Sequence, residues 1–360
     1  MVEKENPPRE TTRRNVLKAT SLGAITLWTG ATTGTASTDD TVKITTVKSG
    51  DDPILRERVP RDWWDHELLA RQVKKQIQEQ YGDNPAVQGV SVGAVSEKIS
   101  GFFAGSVNVT LDPVVPTTLS LPDSVDGVPV QKKYQRKEPG HACYGGPSTQ
   151  VPGGAEITAD GSLFSAGYRV SKGGDTYLLT CAHAVDNASS CDEEATYVKY
   201  VEVNQSGSQL GYVESGNIEM DVALVSDTSN DLSVGTNIVN EGEMGGHVGQ
   251  DGLSMLKGDG ETIYKRGRTT CLESGQLTEY DAWNGNCYYE GTDNNTWVTT
   301  TVYSDSGDSG APIFRRYTYN NEDYVALIAP NYGYDGARGN AAYDIHDRFD
   351  VNFYNGVPIA

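Results

Sequence analysis

From Gly145 onward the chain alternates short apolar runs with clusters of Gly, Asp, Asn and Ser; the runs are AGYRV, TYLLT, YVKYVEV, MDVALV, TWVTTTV, APIFRRY and YVALIA. Apolar runs of this length between turn residues predict strands, and their number predicts an all-β region, a pattern that a double antiparallel β-barrel fits. Ahead of it the period changes. Leu69, Val73, Ile77 and Tyr81 recur every fourth residue, which predicts a helix over Trp63 to Tyr81 with that stripe in the core and Asp62 as its N-cap. VQGVSVG and GSVNVTL then alternate, with Val107, Val109 and Leu111 on one face, and LPDSVDGVPV carries hairpin punctuation. These elements predict a small α/β N-terminal domain or pro-domain over residues 61–138, preceded by a polar linker over 37–60 and followed by the β-rich domain over 139–360. AAYDIHDRFD predicts a short closing helix, on which His346 packs or faces solvent; His66 takes no assigned role, and His247 falls in a Gly-rich loop.

Residues 1–36 follow a different rule. Thr12-Arg13-Arg14-Asn15-Val16-Leu17-Lys18 is a twin-arginine export signature, and an Ala/Gly/Thr-rich stretch follows it to Ala36. Small residues at Gly34 and Ala36 suit cleavage there. The stretch is too polar to span a bilayer, so no membrane anchor is expected after signal cleavage, and the expected partner is the twin-arginine export machinery. The formal charge of the 360 residues is −20, from 29 Lys and Arg against 49 Asp and Glu. Removing residues 1–36 takes away five basic and three acidic residues and leaves the chain more acidic still. Such a charge argues against nucleic acid as a partner and calls for screening by salt. With its low Lys content and export signature, the composition resembles that of secreted proteins of salt-loving archaea. No EF-hand spacing is present, and no metal or other cofactor is expected.

The segment GDSGAP, Gly307 to Pro312, carries the chemistry. It sets Ser309 on a glycine-bounded turn, and a serine hydroxyl becomes a strong nucleophile only when an imidazole takes its proton and a carboxylate orients that imidazole. His183 follows the apolar run in LLTCAHAV. Asp221 opens VALV, a run apolar enough to be buried on both faces, where a carboxylate needs a partner. The chain order is His, Asp, Ser, with separations of 38 and 88 residues.

At these three sites the sequence resembles trypsin-like serine proteases of the chymotrypsin fold. TCAH matches the family's histidine motif, DVAL its aspartate motif and GDSGAP its nucleophile motif, while KRGRTTCLESGQL, Lys265 to Leu277, looks like the strand before the nucleophile loop. The resemblance covers Cys143 to the C-terminus. It implies a secreted serine endopeptidase acting on polypeptide substrates, in which Ser309 attacks the scissile carbonyl, His183 is general base and then general acid, and Asp221 orients His183. The backbone N–H groups of Gly307 and Ser309 would form the oxyanion hole, each donor being worth about 3 to 4 kcal/mol of barrier. It also implies a substrate pocket lined by Tyr303, Ser304, Ala329 and Asn331. Tyr303 stands six positions before Ser309, where members that cleave after Lys or Arg place an acid, and Pro330 removes one N–H from the segment expected to pair with substrate.

Two further readings go with the motifs. A protease-fold module at the cell surface, catalytically silent or confined to self-processing, is the alternative function, and Lys132-Lys133 and Arg136-Lys137 are candidate processing sites. Five cysteines are present. Cys181 with Cys191, and Cys271 with Cys287, are close enough in sequence to pair, which leaves Cys143 over. The family's usual cysteine directly after the histidine is replaced by Ala184, and His141 with Cys143 is too small a set for a structural metal.

Overall fold

Alternating Val, Ile and Thr residues lay down strands almost throughout the computed structural model, which describes residues 40–82, 84, 86–111, 119–133, 148–185, 202–217, 220–228, 232–284, 296–333, 336–354 and 356. The twin-arginine segment and cleavage point, Cys143, Cys191 and Cys287 lie outside these residues.

Two sheets carry the structure, as a double β-barrel requires. In the eight-stranded sheet, Tyr168–Lys172, Asp175–Thr180, Val222–Ser226 and Ser208–Asn217 are neighbours in that order. The fifteen-stranded sheet runs through Thr41–Ser49, Glu243–Val248, Glu322–Pro330, Pro312–Tyr319, Thr262–Gly267, Cys271–Asn284, Val87–Ile99 and Phe102–Leu111. The pairing is not purely antiparallel. Glu243–Val248 runs parallel to Glu322–Pro330, Phe102–Leu111 to Val128–Lys133, and Ser233–Ile238 to Gln150–Gly153.

Two expectations about the N-terminal third change. Residues 41–60 are not a linker: Thr41–Ser49 and Asp52–Pro60 form a hairpin that pairs with Glu243–Val248 through Val47 and Lys48. Ile44, Val47 and Val59 supply its apolar face and are buried, which the many charges of the segment conceal in the sequence. The α/β elements expected over 61–138 are present, but they share a sheet and a core with the C-terminal half. Val87–Ile99 pairs with Cys271–Asn284, and Trp63, Val73 and Ile77 pack in one cluster with Leu253, Ile263, Ile313 and Ile328. Residues 36–360 make a single compact unit.

Helix α1, Arg61–Tyr81, starts at Arg61 after Pro60, so Asp62 is not its N-cap; its carboxylate accepts from the Trp63 N–H (2.8 Å) and the Ser100 hydroxyl (2.6 Å) inside the first turn. The buried stripe is Trp63, Glu67, Ala70, Val73, Lys74 and Ile77, with Leu69 and Tyr81 on its margin. Helix α2, Gln250–Asp259, packs beside it, and α3, Ala342–Phe349, closes the C-terminus. No helix among the described residues is long and apolar enough to cross a membrane.

His247 also departs from its expected place. It sits in strand Glu243–Val248 rather than in a loop, is fully buried, and neither ring nitrogen has a hydrogen-bond partner. Burial, then His346 and Lys48, push its imidazole from 6.5 down to about 3. The unfolded chain therefore binds more protons than the folded one between those values, and stability falls as pH drops through that window. A shift of this size corresponds to a loss of about 4 kcal/mol when pH reaches 3. We expect His247→Phe, which keeps the stacking against Phe353, to gain on the natural chain steadily as pH falls from 7 to 3 in denaturant titrations. Parallel curves for the two proteins would overturn this.

Candidate active site

The two sheets meet where the motif residues lie. On the eight-stranded side, strand Asp175–Thr180 ends in a 3-10 turn, Ala182–Ala184, that presents His183. The neighbouring strand Val222–Ser226 is wholly buried, and Asp221 immediately precedes it with a positive φ of 50°, a conformation costly for a non-glycine residue. Its carboxylate uses both oxygens on one residue. Asp221 Oδ1 accepts the His183 backbone N–H at 2.8 Å, and Oδ2 lies 2.8 Å from Nδ1 of the ring. On the other side of the imidazole, Nε2 lies 2.8 Å from Ser309 Oγ. Asp221 is only 3% exposed, so His183 and Ser309 are the members that face the cleft.

This wiring fixes the protonation chemistry. With Asp221 at Nδ1, that nitrogen carries the proton and Nε2 is left to accept from the serine. Burial lowers the imidazolium's stability, but the Asp221 carboxylate and Cys181 together outweigh it, so the His183 pKa stands well above its ordinary 6.5. Tyr332 meets the imidazole edge-on at 4.9 Å and is itself braced by Trp297.

The nucleophile loop is held from both sides. Ser165 donates its N–H to the Ser309 carbonyl (2.9 Å) and its hydroxyl to the Gly307 carbonyl (3.0 Å), and Gly310 N–H reaches Asn331 O at 2.7 Å. Gly307 and Gly310 have φ of 93° and 81°, where any side chain would be strained, and a Cβ on Gly310 would strike Thr180 and Ser165. The N–H groups of Gly307 and Ser309 donate to no other group among the described residues. Asp308 anchors the loop underneath: its carboxylate is buried, pairs with Lys265 Nζ, and accepts from the N–H groups of Thr269 (2.8 Å), Thr270 (3.2 Å) and Asp305 (3.2 Å).

The residues expected to line the substrate pocket are placed unequally. Tyr303 is 46% exposed and donates its hydroxyl to Asp305 at 3.1 Å. Ser304, Ala329 and Asn331 are fully buried in the free chain. The Asn331 amide donates to Ser304 Oγ (2.9 Å), Asp308 O (3.0 Å) and Gly333 O (3.2 Å), so its side chain supports the loop from beneath and presents no surface.

Cys181 gives a further correction. It is a free, buried thiol, so the Cys181–Cys191 bridge is not formed; Sγ lies 3.8 Å from His183 Nε2. Cys271 is disulfide-bonded, and Cys287, the partner the sequence offers, lies outside the described residues. Sequence reasoning passed over Lys265, Asp308, Ser165 and Tyr332. Lys265 carried a signal, since a lysine amid the apolar positions of TIYKRG needs a buried acid.

No family model matches the chain. Over 168 residues it is 30% identical to streptogrisin-D of Streptomyces griseus, a span of 46% of this chain and 38% of that protein. The chain thus matches well under half the length of this curated relative. Among solved structures it is similar to protease A of Thermobifida fusca (19% identity, 57% of this chain and 100% of that one, TM-score 0.39). A second is a glutamic acid-specific serine protease described as using a histidine triad in substrate binding (22% identity, 57% and 100%, TM-score 0.40).

Proposed function

We propose that the chain is an exported serine endopeptidase that hydrolyses peptide bonds through an acyl-enzyme. The observation that carries this reading is the unbroken line of contacts from Asp221 through His183 to Ser309 Oγ, each 2.8 Å long. Ser309 attacks the scissile carbonyl while Nε2 of His183 takes its proton; the same proton then goes to the leaving amine, and water repeats the cycle on the ester. Asp221 keeps the imidazole in the productive tautomer and stabilises its cation. The Gly307 and Ser309 N–H groups receive the oxyanion, and Lys265 with Asp308 holds the turn on which they sit. The similarity to streptogrisin-D over 168 residues supports the same chemistry. Export rests on the Arg13-Arg14 signature, and the acidic composition suits an extracellular, salt-rich setting. Tyr303, which is exposed, is proposed to meet the substrate side chain.

The reading is tested by labelling the folded protein in molar salt with a fluorophosphonate probe and sequencing the labelled peptide. Label is expected on Ser309 and absent in Ser309→Ala. Its rate is expected to rise with pH through a midpoint above 6.5, because only neutral His183 accepts the proton. Asp221→Asn is expected to lower that midpoint and to slow labelling by about 10⁴-fold. Folded protein that takes up no label would sink the enzyme and favour a binding module.

A further inference from the structure

Cys181 has no part in the proposed mechanism, yet its sulfur lies beside the nitrogen of His183 that faces Ser309. The ligand atoms of Cys181, His183 and Asp221 all fall within 4.8 Å of one another. The separation of 3.8 Å between Sγ and Nε2 is what one tetrahedral ion spans. With metal–sulfur and metal–nitrogen bonds of about 2.3 and 2.0 Å, it corresponds to an angle of roughly 120° at the ion. Asp221 already occupies the opposite ring nitrogen, which is how carboxylates orient histidines that bind metal through the other nitrogen. Ser309 Oγ, 2.8 Å from Nε2, is within reach as a third ligand.

We propose that Cys181 Sγ and His183 Nε2 form a binding site for a thiophilic divalent cation, zinc or cadmium, whose occupancy silences Ser309. Binding transfers the thiol proton to solvent, and the Nε2 lone pair goes to the metal. Nδ1 keeps its proton on Asp221. Ser309 then has no acceptor for its own proton, so nucleophilic attack stops without any covalent change. The cation enters from the side where His183 meets Ser309, both partly exposed. Thiolate and imidazole favour soft cations, so calcium and magnesium are expected to leave the site alone. The silencing rests on the proposed function; the binding does not.

The test separates the two. In the Ser309→Ala chain, which keeps Cys181, His183 and Asp221, cadmium nitrate is titrated in nitrate salt, since chloride complexes the ion. A thiolate-to-cadmium charge-transfer band is expected to saturate at one equivalent. It is expected to vanish in both the Cys181→Ala and Cys181→Ser versions of that chain, and Asp221→Asn is expected to weaken binding about 10- to 100-fold. In the unsubstituted chain, zinc is expected to block fluorophosphonate labelling, and Cys181→Ser is expected to raise the half-blocking concentration at least tenfold relative to its own metal-free rate. A band that survives in folded Cys181→Ser places the metal on another cysteine and overturns the site, as does no band at all. A band without any labelling of the metal-free chain would uphold the site and sink the enzyme.

Discussion

Replacing Ser309 by Ala is expected to lower kcat/KM on a peptide substrate by about 10⁴- to 10⁶-fold, and His183→Ala by about as much. The decisive result is the double variant, which is expected to be no slower than either single one. His183 acts on the proton of Ser309 and on nothing else in the attack, so once the hydroxyl is gone the base has no task, and once the base is gone the hydroxyl is an ordinary alcohol. Two losses that multiplied would mean two independent devices and would contradict the single line of contacts through Nε2. Stability provides the control. Ser309→Ala removes one partly exposed hydrogen bond, a loss of about 1 kcal/mol, so its denaturant midpoint is expected to stay close to that of the natural chain. The residual rate is informative in its own right. The Gly307 and Ser309 N–H groups, proposed to receive the oxyanion, are kept in both single variants and are expected to hold hydrolysis well above that in water.

The three residues of this site were legible because each belongs to a short local motif, and locality is what a sequence displays. GDSGAP forces a tight turn through its glycines, VALV buries Asp221, and TCAH ends an apolar strand. What supports the site was not legible, since it depends on pairings between distant segments. Lys265 and Asp308 lie 43 residues apart, and Ser165 and Gly307 are 142 apart. The N-terminal third was misjudged for a related reason. A run such as TVKITTVKS carries enough charge to read as a linker, and only its partner strand, Glu243–Val248, shows that alternate residues face a core. Cys181 misled in the opposite way, because proximity in sequence to Cys191 says nothing about which direction a thiol points.

The largest stability effect is expected at Glu67 and Lys257. Both side chains are fully buried, one on α1 and the other on α2. Three acceptors take the three ammonium protons: Glu67 Oε1 and Oε2 at 2.9 Å each, and Gly93 O at 2.8 Å. The Tyr280 hydroxyl donates to Glu67 Oε2 at 3.0 Å and accepts from Arg71 Nε at 3.0 Å. Burial lowers the Lys257 pKa, opposed by Glu67, so the pair holds its charge only as a pair. Lys257→Met is therefore expected to cost about 3 to 5 kcal/mol, because it leaves the buried Glu67 carboxylate without its cation. Glu67→Leu with Lys257→Met is expected to recover most of that loss. Equal losses in the single and double variants would show that packing, rather than the stranded charge, sets the cost. The pair also bears on processing, for it spans the two sides of any cut near Arg136-Lys137. Lys133 adds a second tie, its Nζ lying 2.6 Å from Glu279. A chain cut there is expected to migrate as one body in gel filtration and to fall into two pieces only in denaturant. An N-terminal piece that leaves under native conditions would mean that strand Val87–Ile99 can be withdrawn from Cys271–Asn284 without loss of the fold, and would favour the pro-domain reading.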